Sequence, residues 1–370
     1  MSEPVDIQKL LAGMKKLGAS DLHLKAGLPP YYRVGGSLRS INVPAMSGED
    51  IDACMSTIIP PGRRAVFDEV GDLDFSTELP DGDRFRVNIF KCGDKMNSAI
   101  RRVNSEIPTY EELHLPPIYR ELIDRTREGI IIVCGVTGCG KSTTLATMLQ
   151  QINQTRRCNI ITIEDPVEFL FKPVKSIVSQ REIGIDIPSY SEGLKFVVRQ
   201  DPDVIFIGEM RDNFTMMAAL QAAETGHLVF GSLHTADTMQ AFTRILEFFP
   251  RTEHDFIRSS LANSLRAICA QRLLPGCRDD VPMVPATEVL LNNSTCRELI
   301  RKAQDQDLPA LIEGSSKEGM HSFTASLARL VQEERIFRDD AMKFAPNAEA
   351  LASHLRGIKT QAQTMVQRRG

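Results

Sequence analysis

Gly135-Val136-Thr137-Gly138-Cys139-Gly140-Lys141-Ser142 follows the spacing G-x-x-x-x-G-K-S, the pattern of a loop that cradles phosphates. The chemistry follows from the residue types. Glycines let the backbone bend until its N–H groups converge on phosphate oxygens. A helix starting just after the last glycine adds partial positive charge at its N-terminus. Lys141 would reach the β- and γ-phosphates and Ser142 would ligate Mg²⁺, so ATP and Mg²⁺ are the expected ligands. The expected nucleotide-binding set is Gly135, Thr137, Gly138, Cys139, Gly140, Lys141, Ser142 and Thr143. Cys139 is expected to be packed or engaged through its backbone, with no redox role.

Hydrolysis also needs carboxylates near the outermost phosphate. Ile160-Ile161-Thr162-Ile163 runs into Glu164-Asp165-Pro166-Val167-Glu168. A carboxylate ending a strand beside the phosphate-loop strand would lie where parallel sheets bind ligands, so Glu164 is the candidate for polarising the attacking water. Glu168 reads as a solvated loop residue. Asp203-Val204-Ile205-Phe206-Ile207-Gly208-Glu209 closes a second apolar strand. Gly208 stands where many phosphate-loop enzymes carry Asp, which leaves metal contact, through water, to Glu209. Arg211 and Asp212 follow, either as a structural pair or as participants. A third apolar run, Leu228 to Phe230, has His227 before it and His234 beyond it. If that strand is parallel to its neighbours, His234 falls at the catalytic edge and could sense the γ-phosphate. His227 at the other end reads equally well as structural or nucleotide-binding. Charge on the transferring phosphoryl group also calls for arginines from outside the loop. Arg84 and Arg86 share a strand face by alternation, and Arg101-Arg102 follow nearby; a solvated basic face is the plainer reading of that spacing.

These groups need a frame. Ile130-Ile131-Ile132-Val133 precedes the phosphate loop, and a run of helix formers, Thr143 to Gln151, follows it. The short β-branched runs at 130–133, 159–163, 204–207 and 228–230 fit strands buried on both faces of a mostly parallel sheet, with helices between them. Beyond Asn292 the pattern is mostly helical, and Lys359 to Gly370 is expected to fray. Upstream, Val5 to Leu17 carries a helical stripe, Ser20 to Lys25 alternates as a strand, and Tyr31–Leu38 and Arg84–Phe90 read as strands near Gly35-Gly36 and Asp81-Gly82-Asp83 turns. The expected organisation is a small α+β domain over 1–103, a Pro-containing linker over 104–118, and an α/β ATPase domain with a helical extension over 119–370.

Composition excludes several classes. Hydrophobic residues make up 42% and charged residues 25% of 370, with a formal net charge of −4 and no Trp. That balance gives neither the basic footprint nor the stacking aromatics that nucleic-acid binding uses. The eight cysteines include no C-x-x-C pair, so a zinc site is not indicated and reduced thiols are expected. No apolar run nears the ~20 residues of a membrane span and no signal peptide is apparent. The expectation is a cytoplasmic protein that reaches a membrane only through partners.

Four boxes now stand in order: GVTGCGKST, ITIEDPVEF, RQDPDVIFIGEMRD and TGHLVFGSLHT. Together they resemble the secretion ATPase superfamily, and within it the PilT/PilU group that powers pilus retraction and twitching motility. GASDLHLKAGLPPYYRVGGSL and SSKEGMHSFTASLARLVQEERI extend the resemblance over nearly the whole chain. In Thr295–Lys302, Arg297, Leu299, Ile300 and Arg301 match the AIRNLIRE-like helix of the retraction group, while the first two positions and the last differ. The resemblance implies a homo-hexamer of subunits with a PAS-like N-terminal domain and a RecA-like ATPase domain, ATP lying between them. It implies Glu164 as catalytic base, Glu209 as the Walker B carboxylate, and Arg86 and Arg102 as phosphate-facing arginines, with Arg84 and Arg101 as alternatives and Arg33 near the nucleotide. Its implied partners are an inner-membrane pilus platform protein and paralogous motor ATPases. Assembly and type II secretion relatives usually carry a four-cysteine zinc motif; here only Cys277 and Cys296 lie near that region, unpaired in spacing, which points towards retraction.

Overall fold

The computed structural model describes residues 5–103, 106–278 and 281–357. Positions 104–105 of the expected linker and the expected frayed end, Lys359 to Gly370, lie outside those residues. The chain forms two compact units, Met1–Glu106 with Val167–Leu170, and Ile107–Pro166 with Phe171–Gly370.

The first unit is built on six strands: β1 (Ala19–Leu24), β2 (Tyr31–Val34), β3 (Ser37–Ser40), β4 (Asp72–Glu78), β5 (Arg84–Cys92) and β6 (Lys95–Val103). They form one antiparallel sheet in the order β3-β2-β1-β6-β5-β4. Alternation decides what each face does. On β5, Phe85, Val87 and Ile89 are buried while Arg84, Arg86 and Asn88 are half-buried. The apolar face meets Ile7, Leu10, Leu11 and Met14 of the helix Ile7–Leu17 in one core.

The second unit contains β7 (Gly129–Cys134), β8 (Asn159–Glu164), β9 (Ile177–Glu182), β10 (Val204–Ile207), β11 (Leu228–Leu233), β12 (Leu265–Arg278) and β13 (Val281–Leu291). Their order is β13-β12-β7-β11-β10-β8-β9. All neighbours pair in parallel except β12 with β13. β7 is buried throughout: Ile130, Ile132 and Cys134 face one core and Ile131 and Val133 the other. A strand with helices on both sides must be apolar on both faces, which is why its sequence does not alternate. Parallel pairing brings the C-terminal ends of β7, β11, β10 and β8 to one sheet edge. The strand order corrects one expectation: β8, which carries Glu164, is not adjacent to β7. β11 and β10 intervene, which sets the ends of β8 and β7 about 14 Å apart at the usual strand spacing. Among the described residues no helix is long and apolar enough to cross a membrane.

One half-buried titratable group marks where the C-terminal helices join this sheet. His321 bridges to Val289 of β13, its Nε2 lies 2.8 Å from Thr287 Oγ1 and its Nδ1 3.2 Å from the Gly319 carbonyl. Burial lowers its pKa to about 4. The unfolded chain therefore binds a proton that the folded one refuses between about pH 6.5 and 4. The contribution of neutral His321 is complete above that window and is lost as pH falls through it, by on the order of 3 kcal/mol. Urea unfolding midpoints should fall from pH 7 to pH 4.5, and His321→Gln should remove most of that slope.

Candidate functional site

The phosphate loop leaves β7 at Gly135 and enters the helix Lys141–Thr155. Gly138 and Gly140 sit at φ 79° and 87°, a region that L side chains rarely adopt. Gly135 is required for another reason. A Cβ there would stand 2.5 Å from the Gln271 carbonyl oxygen of β12 and 2.3 Å from Cys139 Sγ. Val136, Thr137 and Gly138 are exposed, whereas Cys139 is buried. Lys141 is buried as well, and its ammonium donates to the carbonyls of Gly135 (2.9 Å) and Val136 (3.2 Å). It therefore lies folded along the loop it belongs to. Ser142 and Thr143, in the first helical turn, are partly accessible. The donor set fits a polyphosphate: a concave run of backbone N–H groups at a helix N-terminus, with one ammonium alongside.

Across the sheet edge, polar contacts link the loop to the carboxylates. Thr137 Oγ1 lies 3.4 Å from His234 Nδ1, and His234 Nε2 lies 3.4 Å from Glu209 Oε1. The neutral Nε2–H tautomer suits both contacts, accepting from the threonine hydroxyl and donating to the carboxylate. Glu209 Oε2 pairs with Arg211 at 2.7 Å, and Arg211 lies 3.8 Å from Asp165. The Glu209 carboxylate pushes the Arg211 pKa further up. Asp212 takes no part in this series; it caps the helix Asn213–Glu224. Glu164 ends β8 and is buried, with Thr162 Oγ1 (2.6 Å) and Gln180 Nε2 (3.1 Å) both donating to its Oε1. Gly208 has a steric explanation. A Cβ there would stand 2.8 Å from the Tyr190 hydroxyl and 3.2 Å from Glu164 Cα, so an Asp at this position would push the two carboxylate-bearing strand ends apart.

The structure gathers Lys141, Thr137, His234, Glu209 and Arg211 into one contiguous set and places Glu164 at the same sheet edge, further along. It does not bring His227 there. His227 precedes β11 at the opposite edge, with Nδ1 2.8 Å from the Ala222 carbonyl and 3.1 Å from Thr225 Oγ1, as part of a helix cap. Glu168 is exposed within Val167–Leu170 of the first unit.

In the first unit, register sorts the arginines. Arg33, Asp21, Arg101 and Arg86 are successive cross-strand partners over β2, β1, β6 and β5, so they form one row on one face. Arg101 lies 2.8 Å and Arg33 3.7 Å from Asp21, and Arg86 3.9 Å from Asp74. Arg101 is the main charge that lowers the Asp21 pKa against the opposing effect of burial. Arg102 pairs with Phe85, which puts it on the other face, donating at 3.2 and 3.3 Å to the buried Asp83. Arg86 and Arg102 therefore cannot present charge to the same surface of this sheet.

Three residues absent from the motif reading support the site from β12 and β13. Gln271 touches the phosphate loop. Arg272 donates to the Phe344 carbonyl (2.8 Å) and the Ala236 carbonyl (3.5 Å), with its guanidinium 4.4 Å above the Phe323 ring. Glu288 accepts from Thr238 N and Oγ1 and from Phe323 N, and burial raises its pKa. No spacing rule marks them, because their partners lie far away in sequence.

A family model described as type II/IV secretion system protein matches residues 85–334. The type IV pilus retractation ATPase PilT of Pseudomonas aeruginosa is 40% identical over 341 residues, 92% of this chain and 98% of its own length. A twitching motility protein of Neisseria gonorrhoeae is 39% identical, over 87% of this chain and 86% of its own. A crystal structure of the pilus retraction motor PilT with bound ADP is similar at a TM-score of 0.86 and 40% identity, covering 93% of this chain and 98% of that one.

Burial also raises the pKa of the Cys139 thiol, while Cys92 is exposed. Brief maleimide treatment at pH 7.5 should label Cys92 and spare Cys139, as read by peptide mass spectrometry. Equal labelling of the two would contradict a packed Cys139.

Proposed function

This chain belongs to the type II/IV secretion system family of ATPases, and from that premise we propose that it is a homo-hexameric motor whose ATP hydrolysis drives type IV pilus retraction and twitching motility. The observation that carries the catalytic reading is the contact series Thr137–His234–Glu209, which ties the phosphate loop to a carboxylate on another strand. Supporting the retraction reading are the relatives' names and their coverage of nearly the whole chain. The proposed organisation is 1–103 as the N-terminal domain, 104–118 as linker and 119–370 as the ATPase domain. An inner-membrane platform protein and paralogous motors are the proposed partners.

In the proposed mechanism the loop amides and Lys141 bind the β- and γ-phosphates. Glu164, with its Oε1 held by Thr162 and Gln180, orients the attacking water and takes its proton. His234 reports on the γ-phosphate through Thr137 and passes that contact to Glu209. Ser142 and Glu209 would hold Mg²⁺, which when bound would supply charge neutralisation at the phosphates. Arg86 supplies positive charge for transfer, with Arg33 at the far end of the same row, on β2, as the second proposed nucleotide-facing arginine. Arg102 was grouped with Arg86 by resemblance; its pairing with Asp83 supports a structural role in the first unit.

Lys141→Ala and Glu164→Ala should each lower ATP turnover at least ~100-fold while the protein stays folded. Near-normal phosphate release by Glu164→Ala would remove it as the base. Arg86→Ala should lower kcat with unchanged stability, whereas Arg102→Ala should lower stability by about 1 kcal/mol by leaving the buried Asp83 with only Lys15, 3.5 Å away, as its charge partner. In cells, deletion of the gene should give hyperpiliated, non-twitching bacteria; bald cells would assign the protein to assembly instead.

A further inference from the structure

β12 runs parallel to β7 until Cys134 pairs with Ala270. The next residue on each strand is where they diverge: Gly135 turns into the phosphate loop and Gln271 continues in β12. Gln271 meets both ends of the loop. Its backbone carbonyl is what excludes a side chain from Gly135, and its Nε2 would stand 3.1 Å from a Cβ at Gly140. Its side-chain amide is buried. Nε2 donates to the Cys139 carbonyl at 2.5 Å, and Oε1 accepts from Thr144 Oγ1 at 2.9 Å. A carbonyl can only accept, so the NH₂ end faces Cys139, and the buried Thr144 hydroxyl holds the other end.

The consequence lies in a single peptide plane. The Cys139 carbonyl and the Gly140 N–H belong to the same trans peptide, whose C=O and N–H point in opposite directions. Drawing the carbonyl down onto Gln271 aims the Gly140 N–H away from β12, towards the concave side of the loop, where a phosphate would sit. Without that anchor, Gly140, in its permissive left-handed conformation, lets the peptide rotate.

We propose that Gln271 is a positioning residue of the ATP site, fixing the Cys139–Gly140 peptide so that its N–H is pre-aimed at phosphate, with Thr144 fixing Gln271. The inference rests on nucleotide occupying this loop. A preorganised donor contributes to binding ADP and ATP alike, so its loss shows in affinity rather than in the chemical step.

The test uses the full-length protein and a fluorescent N-methylanthraniloyl-ADP titration beside steady-state kinetics. Gln271→Met keeps the volume and removes both hydrogen bonds. It should weaken ADP binding and raise KM for ATP by about tenfold, with kcat changed less than about threefold. Thr144→Val should weaken ADP binding by a smaller factor, and adding it to Gln271→Met should cost nothing more, because the hydroxyl acts only through the amide. ADP affinity unchanged in a folded Gln271→Met protein, or losses that simply multiply in the double variant, overturns the proposal. If Gln271→Met does not fold, Thr144→Val decides alone: unchanged ADP affinity overturns it. Lys141→Ala separates the two readings. If it weakens ADP binding and Gln271→Met does not, only the positioning role falls; if neither does, nucleotide is not at this loop and both fall.

Discussion

The close approach of β12 to the start of the phosphate loop constrains the rest of the site. With the Gln271 carbonyl where a Gly135 side chain would be, the chain can leave β7 only as glycine and only along one path. That path sets where Lys141 begins its helix and which carbonyls its ammonium meets. It also sets how far Thr137 projects towards His234. Because β11 is the neighbour of β7, with Leu233 opposite Cys134, the histidine following β11 arrives level with the loop. The geometry of the whole edge thus follows from parallel register and one steric exclusion.

Charge is distributed along that edge with a regular sign pattern. Lys141 at the loop, Glu209 two strands over, Arg211 beside it and Asp165 beyond it alternate, with His234 linking Thr137 to Glu209. The short contact in the series is Glu209–Arg211 at 2.7 Å, and it raises the Arg211 pKa. A change at the loop end alters what Thr137 offers His234, and through it what Glu209 accepts. Glu164 is held by Thr162 of its own strand and Gln180 of β9, which ties its placement to the sheet.

The sequence made part of this legible, and the reasons differ by element. β7, β8, β10 and β11 stood out because strands buried on both faces read as short apolar β-branched runs. The phosphate loop stood out because glycine, lysine and serine at fixed spacing serve one purpose. Strand order was not legible: periodicity shows that a strand exists, not which neighbour its crossover selects, and Glu164 was placed beside β7 for that reason. The β12–β13 hairpin was missed because it carries Arg, Gln, Pro and Gly within its length, and Gln271, Arg272 and Glu288 act on partners remote in sequence. The opposite faces of Arg101 and Arg102 follow from alternation alone, yet resemblance to a family grouped Arg102 with Arg86, which faces the other way.

Arg272 has a mechanical implication. One guanidinium holds the Ala236 carbonyl, two residues past His234, and the Phe344 carbonyl in the C-terminal helices, while stacking on Phe323. Glu288 repeats the bridge between Thr238 and Phe323. These two charged side chains cross-brace the C-terminal helices to the backbone two and four residues past His234, so a displacement of those helices would strain that end of the sheet directly rather than through the length of the chain.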